Sequence, residues 1–209
     1  MEGLVGAGVA GLVAGIGVAM PLGAIGVLLV QQAIGSGWRA AAGGACGVAL
    51  VDGAYAAVAV LAGAAVTAVL AGHERAVQVA GAVLLVAVAA KGLLALPTSG
   101  ARRSPVPEAA AGRRALVVGG RFVVLTLVSP LTAVYFVALA AGGGELLDGP
   151  GRSTLFVAGV LASSLSWQLG LVTAAALAGH RMGGTARAVT ALGGNLLVLG
   201  YAVRLGLGL

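Results

Sequence analysis

Residues 42–71 read AGGACGVALVDGAYAAVAVLAGAAVTAVLA, thirty consecutive positions with a single charged side chain, Asp52. A helix needs about 20 apolar residues to cross a hydrocarbon core about 30 Å thick, so this stretch can cross with tilt to spare. Working outward, five further runs have the same character, at 4–30, 76–96, 117–140, 154–178 and 186–207. Short polar or Gly-rich breaks separate them, among them Gly35-Ser36-Gly37-Trp38-Arg39, Gly72-His73-Glu74-Arg75 and the segment from Pro97 to Arg114. The expected fold is all-α integral membrane, with six transmembrane helices.

Composition points the same way. Only 9% of the residues are charged, 60% are hydrophobic and the mean hydropathy is +1.09, whereas a water-soluble domain carries about 25% charged residues. Such a chain cannot supply a polar coat. Glycine, at 37 of 209 residues, suits close approach of helices in lipid. The net charge of +6 does not indicate a nucleic-acid partner, because the basic residues sit between hydrophobic blocks, where they act as topology signals. The single cysteine, Cys46, rules out an internal disulfide and CxxC chemistry and is expected to pack as a small hydrophobe. The start, Met1-Glu2-Gly3, lacks the basic residues of a signal peptide, and the apolar stretch after it is too long for one. A retained first helix is expected.

Lys and Arg in short loops set orientation. With both termini outside, nine basic residues lie inside (Arg39, Lys91, Arg102, Arg103, Arg113, Arg114, Arg121, Arg181, Arg187) and three outside (Arg75, Arg152, Arg204). The expected location is the cell (inner or plasma) membrane, multi-pass, with the lipid bilayer as solvent. Residues 97–115, rich in Pro, Arg and Ala, read as a flexible cytoplasmic linker between a first three-helix repeat at 1–96 and a second at 116–209. Pro21-Leu22-Gly23-Ala24 is echoed by Pro130-Leu131-Thr132-Ala133, and Gly47-Val48-Ala49 by Gly159-Val160-Leu161, which sets Asp52 against Ser164. Gly81 to Lys91 is echoed by Gly194 to Arg204, at offsets of 109, 112 and 113 residues in consistent order. Three helices per half force opposite orientations, so the expected architecture is two inverted three-helix repeats.

The chemistry is expected where the apolar runs are interrupted. Pro21, followed by Gly23, and Ser129-Pro130 lie at matching places in the two halves. Proline removes a donor and clashes with the preceding turn, so each helix should break and free carbonyl groups. Those groups need protein or a wet cavity around them, and paired breaks point to a midplane binding site. A plain packing kink is the competing reading. Asp52 is the one acid inside any expected span. A charge at the centre of a membrane helix costs about 2.5–3.5 kcal/mol on insertion scales and usually faces a pathway. It could bind a substrate ammonium group, load and release a proton, or pair structurally with Ser, Thr or a helix end. In helix five, Ser164 and Gln168 share a face; with Ser163, Ser166 and Trp167 as a wall they could line a polar cavity or bond helix to helix. Gln31 and Gln32 are expected at the cytoplasmic end of helix one, Asn195 in the polar interior, and Tyr55, Tyr135 and Tyr201 as aromatic walls. Lys91 and Arg204 should snorkel from helix ends.

Other patterns carry less. Gly6-Ala7-Gly8-Val9-Ala10-Gly11 matches a dinucleotide-binding fingerprint, but no strand precedes it, so it is read as helix packing. Gly11 to Gly15 and Gly43 to Gly47 match G-x-x-x-G, a helix-contact signal. His73 and His180 stand alone in expected loops, so no metal site and no cofactor are expected. One intramembrane acid and no His in a span leave neither an acid pair nor a Ser–base pair, so the chain is not expected to be an enzyme.

Taken together these features resemble the LysE/RhtB family of amino-acid exporters. The resemblance lies in Pro21-Leu22-Gly23, the turn Gln32-Ala33-Ile34-Gly35-Ser36-Gly37-Trp38-Arg39, Gly43 to Asp52 (GGACGVALVD), Ser129-Pro130, and Ser163 to Trp167 before the last helix. It implies a six-helix fold, amino acids or related amines as substrates, export driven by the proton gradient, and a homodimer. It also implies a site formed by Pro21, Asp52 and Pro130. The family's Pro-Gly-Pro or Gly-Pro-Gln-Asn first break is Pro-Leu-Gly-Ala here, and its Asn-Pro is Ser129-Pro130, so the particular substrate does not carry over. The alternative reading is a cation or heavy-metal transporter of the same shape.

Overall fold

The computed structural model describes residues 2–20, 23–70, 74–94, 108–129, 132, 133, 135, 136, 139 and 149–207. The described secondary structure is helical throughout. α1 spans Glu2–Ala19 and α2 Ala24–Ser36. α3 spans Trp38–Leu70, α4 Glu74–Leu94 and α5 Glu108–Leu127. After α5 the chain is again helical at Thr132, Ala133, Tyr135, Phe136 and Leu139. α6 spans Pro150–Arg181 and α7 Gly184–Leu207. Glycine is required at two junctions. Gly37, at φ +88, is the single residue by which the chain leaves α2 and enters α3, and Gly149, at φ +93, precedes the Pro that opens α6.

α3, α6 and α7 are each long and apolar enough to cross a membrane, and α1 with α2 passes the same test as one span bent by 77° at its break. Among the described residues, α4 and α5 do not pass it. α4 carries Glu74, Arg75 and Gln78 in its first turns and Lys91 in its last, leaving Ala82–Lys91 as its apolar part. α5 begins well before the expected 117, takes in Arg113, Arg114 and Arg121, and stops at Leu127. The expected 97–115 linker is therefore shorter on its C-terminal side, since the chain is helical from Glu108; residues 95–107 lie outside the described residues.

Small residues govern how the helices meet. Gly11 and Gly15 of α1 lie against the backbone of Phe156 and Val160 in α6, and Gly43 and Gly47 of α3 lie against Ala115 and Gly119 in α5. The two G-x-x-x-G matches are thus the two closest helix crossings that the described glycines make with backbone. Each pair advances in step, so α1 runs parallel to α6 and α3 parallel to α5. α3 and α6 run opposite ways, with Trp38 Nε1 donating to Thr173 Oγ1 (2.9 Å) at one level and Gly53 against Leu161 at another. α4 packs on α7, and α2 packs on α3, α6 and α7. Gln31 and Cys46 differ from expectation. The Gln31 amide donates to the Ala191 carbonyl of α7 (3.0 Å) instead of ending a span, because the bend at the break carries α2 onto α7. Cys46 is exposed on α3.

Two apolar clusters result. One joins Leu28, Leu29, Val48, Phe122, Val172 and Val198; the other joins Ala14, Ala56, Phe136, Phe156 and Val160. Outside them, large apolar side chains face outward, Val5, Val9 and Val13 of α1 and Leu196, Leu197 and Val203 of α7 among them. A water-facing surface would not carry contiguous apolar faces of this kind.

Candidate functional site

Along α3 the first cluster ends at Val48 and the second begins at Ala56; along α6 the second ends at Val160 and the first begins at Val172. Asp52, Ser163, Ser164 and Gln168 lie in the gap, each buried, beside the small apolar Ala49 and Val51 of α3. A polar layer therefore separates two apolar ones. At its centre Ser164 Oγ donates to Asp52 Oδ2 at 2.6 Å, joining α3 to α6, with Asp52 2% exposed and Ser164 0%. The hydrogen bond described for this buried carboxylate comes from a neutral hydroxyl. Gln168 sits one turn beyond Ser164, 4% exposed, and its Oε1 has no hydrogen-bond partner among the described residues.

The helix breaks lie at the same level. Extending the register of Gly11 and Gly15 on α6 brings Ala19, the last residue of α1, level with Ser164. The end of α1 thus lies at the level of the polar layer. Gly23 is the N-cap of α2 and makes no side-chain cap to its first turn, where the helix presents backbone N–H groups. On the other side the Tyr55 hydroxyl, three residues after Asp52, donates to the carbonyl of Leu127 at the end of α5 (2.7 Å). Beyond Leu127, Thr132 Oγ1 donates to Ser129 Oγ (3.1 Å), and Thr126 and Thr132 are buried. Tyr135 donates to the Ala14 carbonyl of α1 (2.9 Å). Phe136 stacks on Tyr55 (6.0 Å between centroids, 12°) and meets Tyr135 edge-on (5.5 Å, 89°). These three aromatic rings tie α1, α3 and the end of α5 together on one side of the polar layer.

The expected site residues divide accordingly. Asp52, Ser164 and Gln168 share the layer, Gly23 and Ser129 flank the two breaks, and Pro21 and Pro130 lie outside the described residues. Trp167 does not wall the Asp52 layer. It is 37% exposed and lines an open groove of about 410 Å³ with Leu12, Ile16, Ala162, Ser163 and Ser166, on the outer face where α1 meets α6. Ser163 bonds its own helix at Gly159 (2.9 Å), as Ser166 does at Ala162 (2.7 Å). Asn195 is buried in α7 and donates to the same Ala191 carbonyl that Gln31 uses, so it belongs to the α2–α7 contact. His180 closes α6 and His73 lies outside the described residues. Beyond the wall role expected of it, Tyr55 bonds the end of α5, and Thr126 and Thr132 join the buried polar residues without having been expected there. Tyr55 could have been found from its place one turn from Asp52, and the threonines from flanking Ser129-Pro130.

Comparison with family models, curated proteins and solved structures finds no match. The class defined by fold and layer together is an all-helical protein with several membrane-length helices and a buried carboxylate between them.

Proposed function

We propose that the chain is a secondary transporter of the cell membrane that exports amino acids or related small amine metabolites, driven by the proton gradient. The observation that carries this reading is the Asp52–Ser164 hydrogen bond: a buried carboxylate on a membrane-length helix, held among the described residues by a hydroxyl, near the ends of α1 and α5. Burying a charge against a neutral donor is a poor route to stability and a direct route to binding a cation or a proton. The uncapped first turn of α2 offers partial positive charge at the same level, so the two ends of a zwitterion would find opposite surroundings there.

On this reading the six apolar runs are six spans in two inverted halves, α4 and α5 completing the set. The packing supports it. Exchanging the halves turns the α1–α6 contact into the α5–α3 contact, both built on glycines, and returns the α3–α6 and α4–α7 contacts onto themselves. Asp52 and Ser164, aligned between the halves, then lie across the exchange axis. The two apolar clusters act as the two closures of an alternating cycle, and the three-ring cluster seals one of them. Tyr55→Phe leaves the Leu127 carbonyl without its donor. The expected cost is about 0.5–1.5 kcal/mol, read as a lower unfolding temperature in detergent, with faster downhill efflux because that closure is loosened.

The test is metabolite profiling of the medium from over-expressing cells against vector and Asp52→Asn controls. Accumulation of an amino acid or amine that needs Asp52 is the expected result. Altered metal tolerance with no such accumulation would point instead to a cation transporter.

A further inference from the structure

The polar layer holds one group that the fold itself leaves unused. Among the described residues, Gln168 Oε1 is the one buried side-chain N or O atom without a hydrogen-bond partner. A buried amide oxygen in that position has lost its water and gained no bond in return, and native folds seldom keep one without a use for it. Its place is specific. Four residues along α6 is one turn plus about 40°, so Gln168 lies on the face from which Ser164 reaches Asp52. The Ser164 proton is committed to Asp52, leaving a carboxylate oxygen and an amide oxygen as acceptors in one water-poor layer. That set suits a ligand bringing both positive charge and several N–H donors.

We infer that Asp52 and Gln168 together recognise a primary ammonium group, Asp52 through its charge and Gln168 by accepting an N–H bond. Gln168 is thus the residue that separates ammonium from cations lacking donors, such as quaternary amines. The inference rests on the transport reading in taking that ammonium group to belong to the cargo, whereas binding itself can be measured without transport.

The test uses the purified full-length chain in detergent, titrated with butylammonium chloride, butyltrimethylammonium chloride or magnesium chloride while thermal unfolding is followed. Butylammonium is expected to stabilise the wild type saturably, and the trimethyl cation to bind about tenfold more weakly or worse, having lost the hydrogen bonds to charged partners. Gln168→Met, of similar shape, is expected to weaken butylammonium about tenfold and bring the two cations close together, since the lost bond is the distinguishing one. Without ligand, the same variant should unfold at or above the wild-type temperature, because it removes an unpartnered polar group; a group with a structural role would lower it. Gln168→Glu keeps acceptor oxygens and should keep the preference, which covers the case in which the methionine variant is not recovered. The inference is overturned by equal binding of both amines to the wild type, by magnesium reproducing the butylammonium shift, by no saturable shift, by unchanged amine affinity in Gln168→Met, or by a lowered ligand-free unfolding temperature in that variant. If butylammonium binds through Gln168 while over-expressing cells export no amino acid or amine, the transport reading falls and this one stands.

Discussion

Asp52→Asn is expected to reduce export to the level of vector-only cells while the protein reaches the membrane in normal amount. The two halves of that expectation come from different features of one contact. Asparagine is isosteric and keeps a carbonyl oxygen where Ser164 Oγ donates, so the α3–α6 junction survives. It also removes the burial of a charge, which costs about 2.5–3.5 kcal/mol at the centre of a membrane helix, so the unfolding temperature should not fall. What it cannot supply is a negative charge for a cation or a site for a transported proton. Asp52→Ser, which shortens the side chain and leaves space beside a buried hydroxyl, separates the roles further: it should lose both export and stability. Export rate against expression level, with unfolding temperature measured on the same preparations, decides the matter. Wild-type efflux from Asp52→Asn would return Asp52 to a purely structural role.

Much of the frame was legible because it depends on local properties of the chain. Apolar length marked α3, α6 and α7, and the Pro-containing breaks marked where α1 gives way to α2 and where α5 ends. The alignment that set Asp52 against Ser164 rested on Gly47 and Gly159, and those two residues touch partner helices at backbone distance. Less legible was everything that depends on which face of a helix meets which neighbour. Ser163, Ser164, Ser166, Trp167 and Gln168 cover a little over half of the helix circumference, and although Ser164 and Gln168 share a face, nothing in the sequence says that this face meets α3. Packing of α3 against one face selects Ser164 and Gln168, while α1 leaves Trp167 on the outer groove. Gln31 shows the same limit. Its place in an apolar run suggests an interface, but a bend of 77° turns α2 toward α7 and gives the amide a carbonyl there. The span ends were blurred by charge. Arg113 and Arg114 read as loop residues, yet Arg114 reaches Ser36 from inside α5 (3.0 Å), because long basic side chains tolerate helix ends where their heads meet polar groups.

The second large effect is expected from Gly159→Leu. A Cβ at this position would lie 2.6 Å from the Gly8 carbonyl oxygen and 2.9 Å from the Leu12 amide nitrogen, both backbone atoms of α1. A flexible side chain could swing aside, but a helix backbone cannot, so α1 and α6 must separate along the crossing. Overpacking of this kind typically costs about 1–3 kcal/mol or more, and here the loss extends beyond the contact. α1 holds the helix break level with Ser164, so moving α1 outward displaces one wall of the polar layer. The expected result is a sharp fall in monodisperse protein after extraction, and loss of export in whatever is recovered. Gly170→Ala, on the same helix with nothing within 4 Å of its Cβ position, controls for helix composition and should be neutral or mildly stabilising. Gly47→Leu tests the proposed relation between the halves. Its Cβ would lie 2.5 Å from the Gly119 carbonyl oxygen of α5, so an inverted repeat requires a defect of the same kind and comparable size. Wild-type recovery of Gly159→Leu would contradict the α1–α6 crossing itself. A severe Gly159→Leu beside a harmless Gly47→Leu would leave that crossing in place and remove the equivalence of the two halves.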